Sequence, residues 1–176
     1  EAVKLFECIH RDVNIAFANE VALLCAELGV DASEVMARAS EPVNDATGRP
    51  FVSFLKPGPG VGGHCIPVYP YFVSRRMKTE TTVIDAARRR NEGMPEHVVQ
   101  RIIEALNERG IAVKGSRILL MGLAYRAGVK ETRCAPSLTI LSRLKDLKAE
   151  VLVWDPNFTR AEIEAYGAGY ADGMLD

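Results

Sequence analysis

The sequence predicts a helical domain followed by a Rossmann-like α/β domain, and three observations carry that reading. Apolar residues recur at helical spacing through residues 2–28. A Pro- and Gly-rich stretch with no helical period follows at residues 40–64. Past residue 110 the pattern changes class, to short apolar runs separated by an amphipathic helix. The expected boundaries are therefore a helical domain over 1–110 and an α/β domain over 111–176.

The elements follow in order. Val3, Phe6, Ile9, Val13, Phe17, Val21 and Leu24 fall at three- and four-residue steps, and Gly29 is a natural helix stop. Asp31 with Glu34 three residues on resembles a capping box, so a short helix should run to about Ala39. Helical character returns near 70–77 and from 82 to 91. Another helix runs from Pro95 to Arg109, turning Val98, Val99, Ile102, Ile103 and Leu106 inward, and the last two can form one helix kinked near Met94. Residues 117–122 (RILLMG) and 150–155 (EVLVWD) read as buried parallel strands flanking a helix over 136–147, which makes a βαβ unit. Two strands cannot complete a covered parallel sheet, so the α/β domain is expected to be incomplete. The chain opens inside a helical period without Met and stops at GYADGMLD, and a piece of a longer protein is the expectation.

Bulk properties exclude several classes. Lys and Arg number 22 against 23 Asp and Glu, a net charge of −1, which leaves no basic footprint for nucleic acid and no polybasic membrane anchor. No apolar run approaches the ~18 residues of a membrane span. Four cysteines without CxxC spacing point to a reducing, cytoplasmic compartment rather than a disulfide framework. A metal site built from Cys8, His10, His64 and Cys65 is disfavoured, because positions 8 and 10 lie on different helix faces and neighbouring His64 and Cys65 chelate awkwardly. No metal is expected.

The most informative stretch is Pro57-Gly58-Pro59-Gly60-Val61-Gly62-Gly63-His64-Cys65-Ile66-Pro67. Its glycines let the backbone approach a ligand closely and point N–H groups at an anion. A thiol beside such groups is a plausible nucleophile, since local positive potential favours the thiolate. On these residues alone a structural loop with a small buried cysteine stands equally. A Cys-dependent hydrolase is weaker, because the sequence shows no orienting acid near His64.

GPGVGGHCIPV resembles the thiol loop of the UDP-glucose/GDP-mannose dehydrogenase family, particularly its UDP-N-acetylmannosamine and UDP-N-acetylglucosamine branches. KLFECIHRDVNIAFANE resembles the helix that opens the family's central dimerisation domain. GLAYRAGVKETRCAPS resembles the start of its C-terminal UDP-binding domain. Three motifs in the right order are far more specific than one glycine loop. The resemblance implies NAD-dependent oxidation of a UDP-sugar C6 hydroxymethyl group to the uronate, through a thiohemiacetal and a thioester on Cys65. It implies that Lys4 stabilises oxyanions and relays protons, a role in keeping with a fixed cation beside a tetrahedral oxyanion. Arg11, Gly62, Tyr125 and Arg126 are implied at the substrate and Arg133 at NAD. It also implies a homodimer through the long first helix and an N-terminal NAD domain that this chain lacks. Lys4, Cys8 and Arg11 fall at i, i+4 and i+7, on one helix face.

Several positions depart from the family. Cys8 stands where Asn is usual and Tyr69 where Asp is usual, which implies slower thioester hydrolysis. Arg49 and Phe51 replace sugar-branch residues, Arg126 replaces Lys, and Lys130 and Cys134 replace acidic ones. The competing expectation is a non-catalytic dimerisation and nucleotide-binding module.

Overall fold

The structure, a computed structural model, describes residues 1–41 and 46–172. The part of the expected loop at 42–45 and the domain end at 173–176 lie outside the described residues. The chain forms two units, one of Glu1–Gly58 with Val68–Asn91 and one of Pro59–Pro67 with the residues from Glu92 on. The first is helical and the second holds a small parallel sheet with helices, the predicted class. The sequence placed the thiol loop within 1–110; in the fold, Pro59–Pro67 groups with the second unit.

In the first unit, α1 (Ala2–Leu28) ends where Gly29 turns left-handed at φ 69°, and Val30 N–H donates back to Cys25 O at 3.0 Å. That reversal favours a residue without Cβ. Asp31 caps α2 (Ala32–Ala39) by accepting from Glu34 N–H at 2.9 Å. α3 (Tyr69–Ser74) is shorter than the expected 70–77. α4 (Thr82–Asn107) is one continuous helix with Pro95 inside it, and gives residues to both units. Lacking an N–H, Pro95 makes no i→i−4 bond at that turn.

The face that α1 buries is only in small part the one its hydrophobic period marks. Ile9 of that stripe is buried and Val13 and Val21 are half-buried, but Val3, Phe6, Phe17 and Leu24 are more than half exposed, while Cys8, Asp12, Ala16, Ala18, Asn19 and Cys25 are buried. The buried stripe is small and polar because a hydrogen-bonded network occupies it. Arg88 Nη1 donates to Asp12 Oδ1 at 2.6 Å. Asn91 Nδ2 donates to Asp12 Oδ1 at 2.8 Å and to Asp12 O at 2.9 Å. Asn91 Oδ1 accepts from Asn19 Nδ2 at 2.9 Å, and Asn19 Oδ1 accepts from Gly58 N–H at 2.8 Å. Buried polar groups require such partners. The network therefore sets how α1 and α4 meet within this unit and holds the chain at Gly58.

In the second unit, β1 (Arg117–Met121) and β2 (Glu150–Trp154) run parallel, with Leu119 opposite Leu152. α5 (Pro136–Asp146) is the crossover, and Pro136 at its first turn gives up no hydrogen bond. α6 (Arg160–Ala165) leads to β3 (Gly169–Tyr170), which pairs parallel with β2 in the order β1-β2-β3. The strand at β3 was not anticipated. β2 lies in the middle and buries Val151 and Val153, whereas β1 is an edge and leaves Met121 exposed, so β1 is less buried than its composition implied. Val99, Ile140, Leu141, Leu144, Val153 and Ile163 centre the core, and the inward face predicted for α4 packs against it.

Replacing Arg88 by Met tests the buried network. It leaves the fully buried Asp12 carboxylate without its cation, and removal of one partner from such a pair costs about 3–5 kcal/mol. Urea unfolding measures the loss. A loss below about 1 kcal/mol, on the scale of an exposed ion pair, would mean that the guanidinium is dispensable there.

Candidate active site

The thiol loop is seated by contacts within the second unit. A Cβ on Gly62 would lie 2.4 Å from Tyr125 Cβ and 3.0 Å from Cys134 O, so only glycine lets the loop approach this closely. Gly63, at φ 98°, lies against the Tyr125 ring, and its N–H donates to Arg133 O at 2.8 Å. His64 Nε2 pairs with Glu131 Oε2 at 3.1 Å. The orienting acid that sequence did not find beside His64 is therefore Glu131, which lies 67 positions along the chain. Cys65 is partly buried at the end of the loop, Cys8 and Cys25 are buried, and Cys134 is exposed.

The segment between β1 and α5 carries Tyr125, Arg126 and Arg133, with both arginines exposed. Its first turn is tied down by Asp155 at the end of β2. Oδ2 accepts from Leu123 N–H at 2.8 Å and Ala124 N–H at 3.1 Å. Oδ1 accepts from Asn157 N–H at 2.9 Å and its Nδ2 at 3.2 Å. Burial pushes the Asp155 carboxyl up, but these four donors outweigh it and hold the group below its ordinary value. The segment is also stapled to α6. Lys130 Nζ meets Glu162 Oε1 at 2.5 Å, and Thr132 Oγ1 shares a hydrogen bond with Tyr166 Oη at 2.9 Å. A cleft of about 560 Å³ opens beyond the C-terminal ends of β1 and β2, lined by Gly60, Met121, Tyr125, Trp154 and Asp155 among others. This is where ligands enter parallel α/β sheets.

The first unit positions the remaining predicted residues. Lys4 Nζ lies 3.3 Å from Glu7 Oε2 near the start of α1, and Arg11 is exposed two turns on. Between them Cys8 is buried, so the stripe of three opens to solvent only at its two cations. Tyr69 begins α3 with its ring stacked on Phe72, centroids 5.9 Å apart. Lys4 and Arg11 thus belong to the first unit. Gly62, Cys65, Tyr125, Arg126 and Arg133 belong to the second, where the glycine loop meets Tyr125 and Arg133 directly. Glu131 and Asp155 were missed at the sequence level. In the linear chain Glu131 reads as one more loop acid and Asp155 as a strand-end residue.

A helical unit joined to a parallel α/β unit, with a cysteine on a glycine loop beside the strand-end cleft, defines a two-part α/β protein with a ligand-sized opening at its sheet. Residues 1–93 match the central domain of the UDP-glucose/GDP-mannose dehydrogenase family, and residues 119–174 match that family's UDP binding domain. The chain belongs to this family. A UDP-N-acetyl-D-mannosamine dehydrogenase of Methanococcus maripaludis is 38% identical over 157 residues, 89% of this chain and 34% of that protein. One of Pyrococcus horikoshii is 39% identical over 156 residues, 89% of this chain and 36% of that protein. The solved structure of UDP-D-ManNAc dehydrogenase from Pyrococcus horikoshii superposes with a TM-score of 0.83 at 36% identity, covering 98% of this chain and 37% of that one. The chain thus spans about a third of the length of these relatives. Among the described residues no helix is long and apolar enough to cross a membrane.

The staple on α6 makes a pH prediction. The Lys130 ammonium, with the Thr159 N–H and hydroxyl, holds the Glu162 carboxyl down at about 2 from an ordinary 4.5. A depressed carboxylate adds stability above its unfolded value, and that stability is lost as pH falls through the folded one. The contribution should therefore disappear between pH 4.5 and about 2. Carboxyl NMR titration of Glu162 should return the low value and Lys130→Met should raise it; an unchanged titration in that variant would remove Lys130 as the main cause.

Proposed function

We propose that this chain supplies the thiol and much of the sugar-nucleotide site of an NAD-dependent nucleotide-sugar 6-dehydrogenase acting on a UDP-N-acetylhexosamine or UDP-glucose. The observation that carries the reading is the seat of Cys65. A glycine loop is fitted against Tyr125 and the Arg133-bearing segment so closely that Gly62 admits no side chain. The family relation and the names of the relatives favour a UDP-sugar as substrate. The activity proposed is that of the whole protein, with two domains divided near residue 110.

The chemistry is a four-electron oxidation. The C6 alcohol first becomes an aldehyde, losing a hydride and a proton. The Cys65 sulfur adds to the carbonyl carbon and the oxygen takes a proton, giving a thiohemiacetal. Loss of a second hydride and a proton leaves a thioester, and water then displaces the thiol to give the carboxylate. Lys4 is assigned to the oxyanions of the tetrahedral species, where a fixed cation acts most strongly. Arg11, Gly62, Tyr125 and Arg126 are assigned to the sugar nucleotide. NAD, when bound, accepts the hydrides. The exposed Arg133 fits a contact to it, but among the described residues no glycine-rich turn joins a strand directly to the start of a helix, the arrangement that cradles a dinucleotide. No step of this chain is therefore assigned through it.

Thiol mapping tests the reading. Cys134 is more exposed than Cys65, so access alone predicts that Cys134 labels first. Activation on the loop predicts the reverse at mildly alkaline pH, with peptide masses showing Cys65 alkylated first. In the whole protein Cys65→Ser should lower turnover by about three orders of magnitude or more, the scale for loss of a nucleophile. Prior labelling of Cys25 or Cys134, together with retained turnover in Cys65→Ser, refutes the assignment.

We also propose a homodimer through α1. Val3, Phe6, Phe17, Leu24 and Leu28 leave a long apolar stripe of α1 exposed, the kind of surface that marks an interaction face. Sedimentation should give a dimer, and Phe6→Glu with Leu24→Glu should give a monomer. A wild-type chain that stays monomeric at high concentration would rule the interface out.

A further inference from the structure

Glu131 stands at the centre of a closed ring of hydrogen bonds around the thiol loop. Its Oε2 accepts from His64 Nε2 at 3.1 Å, and its Oε1 accepts from Arg133 N–H at 2.8 Å. Arg133 O in turn accepts from Gly63 N–H at 2.8 Å, and Gly63 is bonded to His64 through the chain. The main chain of Glu131 makes a further tie, since its carbonyl accepts from Tyr125 N–H at 3.1 Å. One residue thus touches the loop that bears Cys65, the residue that carries the Arg133 side chain, and the residue whose side chain seats Gly62 and Gly63. The neighbours on either side, Lys130 and Thr132, face the other way onto α6, to Glu162 and Tyr166. Partners alternate along these positions as side chains alternate along an extended strand. The segment is therefore a strut with one face bolted to α6 and the other to the thiol loop.

We propose that Glu131 is a positioning residue for this site, acting through His64 and Arg133 to hold the thiol loop in register with Tyr125. The role rests on the assignment of Cys65 and Tyr125 proposed above, and it goes beyond that assignment because Glu131 touches neither substrate nor thiol. Its carboxyl is held below the ordinary range, first by the His64 hydrogen bond and then by the Arg133 N–H, so it is ionised at neutral pH and can accept both bonds. His64 is 53% and Glu131 37% exposed, so the pair is worth less than a buried one and local opening of the loop is measurable.

The test is hydrogen exchange in the peptide spanning 59–67 of this chain, with the β1 and β2 peptides as internal reference. Loss of this part-exposed charged pair should speed exchange of the loop by up to about fivefold. His64→Ala should do that, and Glu131→Ala should do at least as much because it breaks both bonds. The double variant should match Glu131→Ala, since the two residues act through one another. His64→Gln should restore protection, because its amide N–H can take the place of Nε2–H. Alkylation of Cys65 should slow in the same order across the variants. Unchanged exchange in Glu131→Ala, multiplying effects in the double variant, no rescue by Gln, or faster Cys65 labelling would each overturn the inference. If wild-type Cys65 is not the first thiol to label, the proposed catalytic role fails instead, while the exchange data still decide whether the ring holds the loop.

Discussion

The Asp12 carboxylate, taken fully out of water, is the constraint on which the helical unit depends. A buried charge is tolerated only when paired and hydrogen-bonded, and Arg88 and Asn91 from α4 meet that demand on one oxygen of Asp12. The requirement reaches further than one ion pair. Asn91 must spend its carbonyl on Asn19, which frees the Asn19 carbonyl for the Gly58 N–H. A chain of directed bonds thus links α1, α4 and the residue immediately before the thiol loop. Directed bonds fix register and angle, whereas apolar contacts tolerate sliding. The small residues Ala16 and Ala18 beside the network let the packing close around it.

In the second unit a different device sets the geometry. Parallel strands bring the ends of β1 and β2 side by side, and Asp155 at the end of one pins the turn that leaves the other. From that turn the chain does not enter α5 at once. It travels through Tyr125, Arg126 and Arg133 before Pro136 starts the helix. This excursion forms the wall against which the glycine loop rests. The two glycines at 62 and 63 are therefore needed for contact with Tyr125 as much as for backbone freedom, since a Cβ at either would meet its side chain.

The departures from the family pattern acquire physical content in this frame. Lys130, where an acid is common, here closes an ion pair with Glu162 and lies 5.4 Å over the Phe158 ring. Cys8 is buried on α1 between the exposed Lys4 and Arg11, and Tyr69 is committed to a stack with Phe72. Neither replacement carries a carboxylate or a carboxamide, so neither can offer the hydrogen bonds that Asp or Asn would.

Periodicity and punctuation made much of this molecule legible from its residues. The first helix, its glycine stop, the Asp31 cap, the strand–helix–strand unit and the inward face of α4 all follow from local rules: 3.6-residue spacing, left-handed glycine, side-chain capping and short apolar runs. The cysteine loop stood out because so many glycines flank one thiol. What local rules could not reach is partnership across long separations. Hydrophobic spacing picked out the large apolar stripe of α1, but the fold buries the small polar stripe beside it, because Arg88 and Asn91 arrive there from α4. Asp12, Glu131 and Asp155 look like ordinary surface acids in a linear chain. Their roles exist only once distant donors surround them, since a hydrogen bond depends on where its two ends lie in space and not on their distance along the sequence.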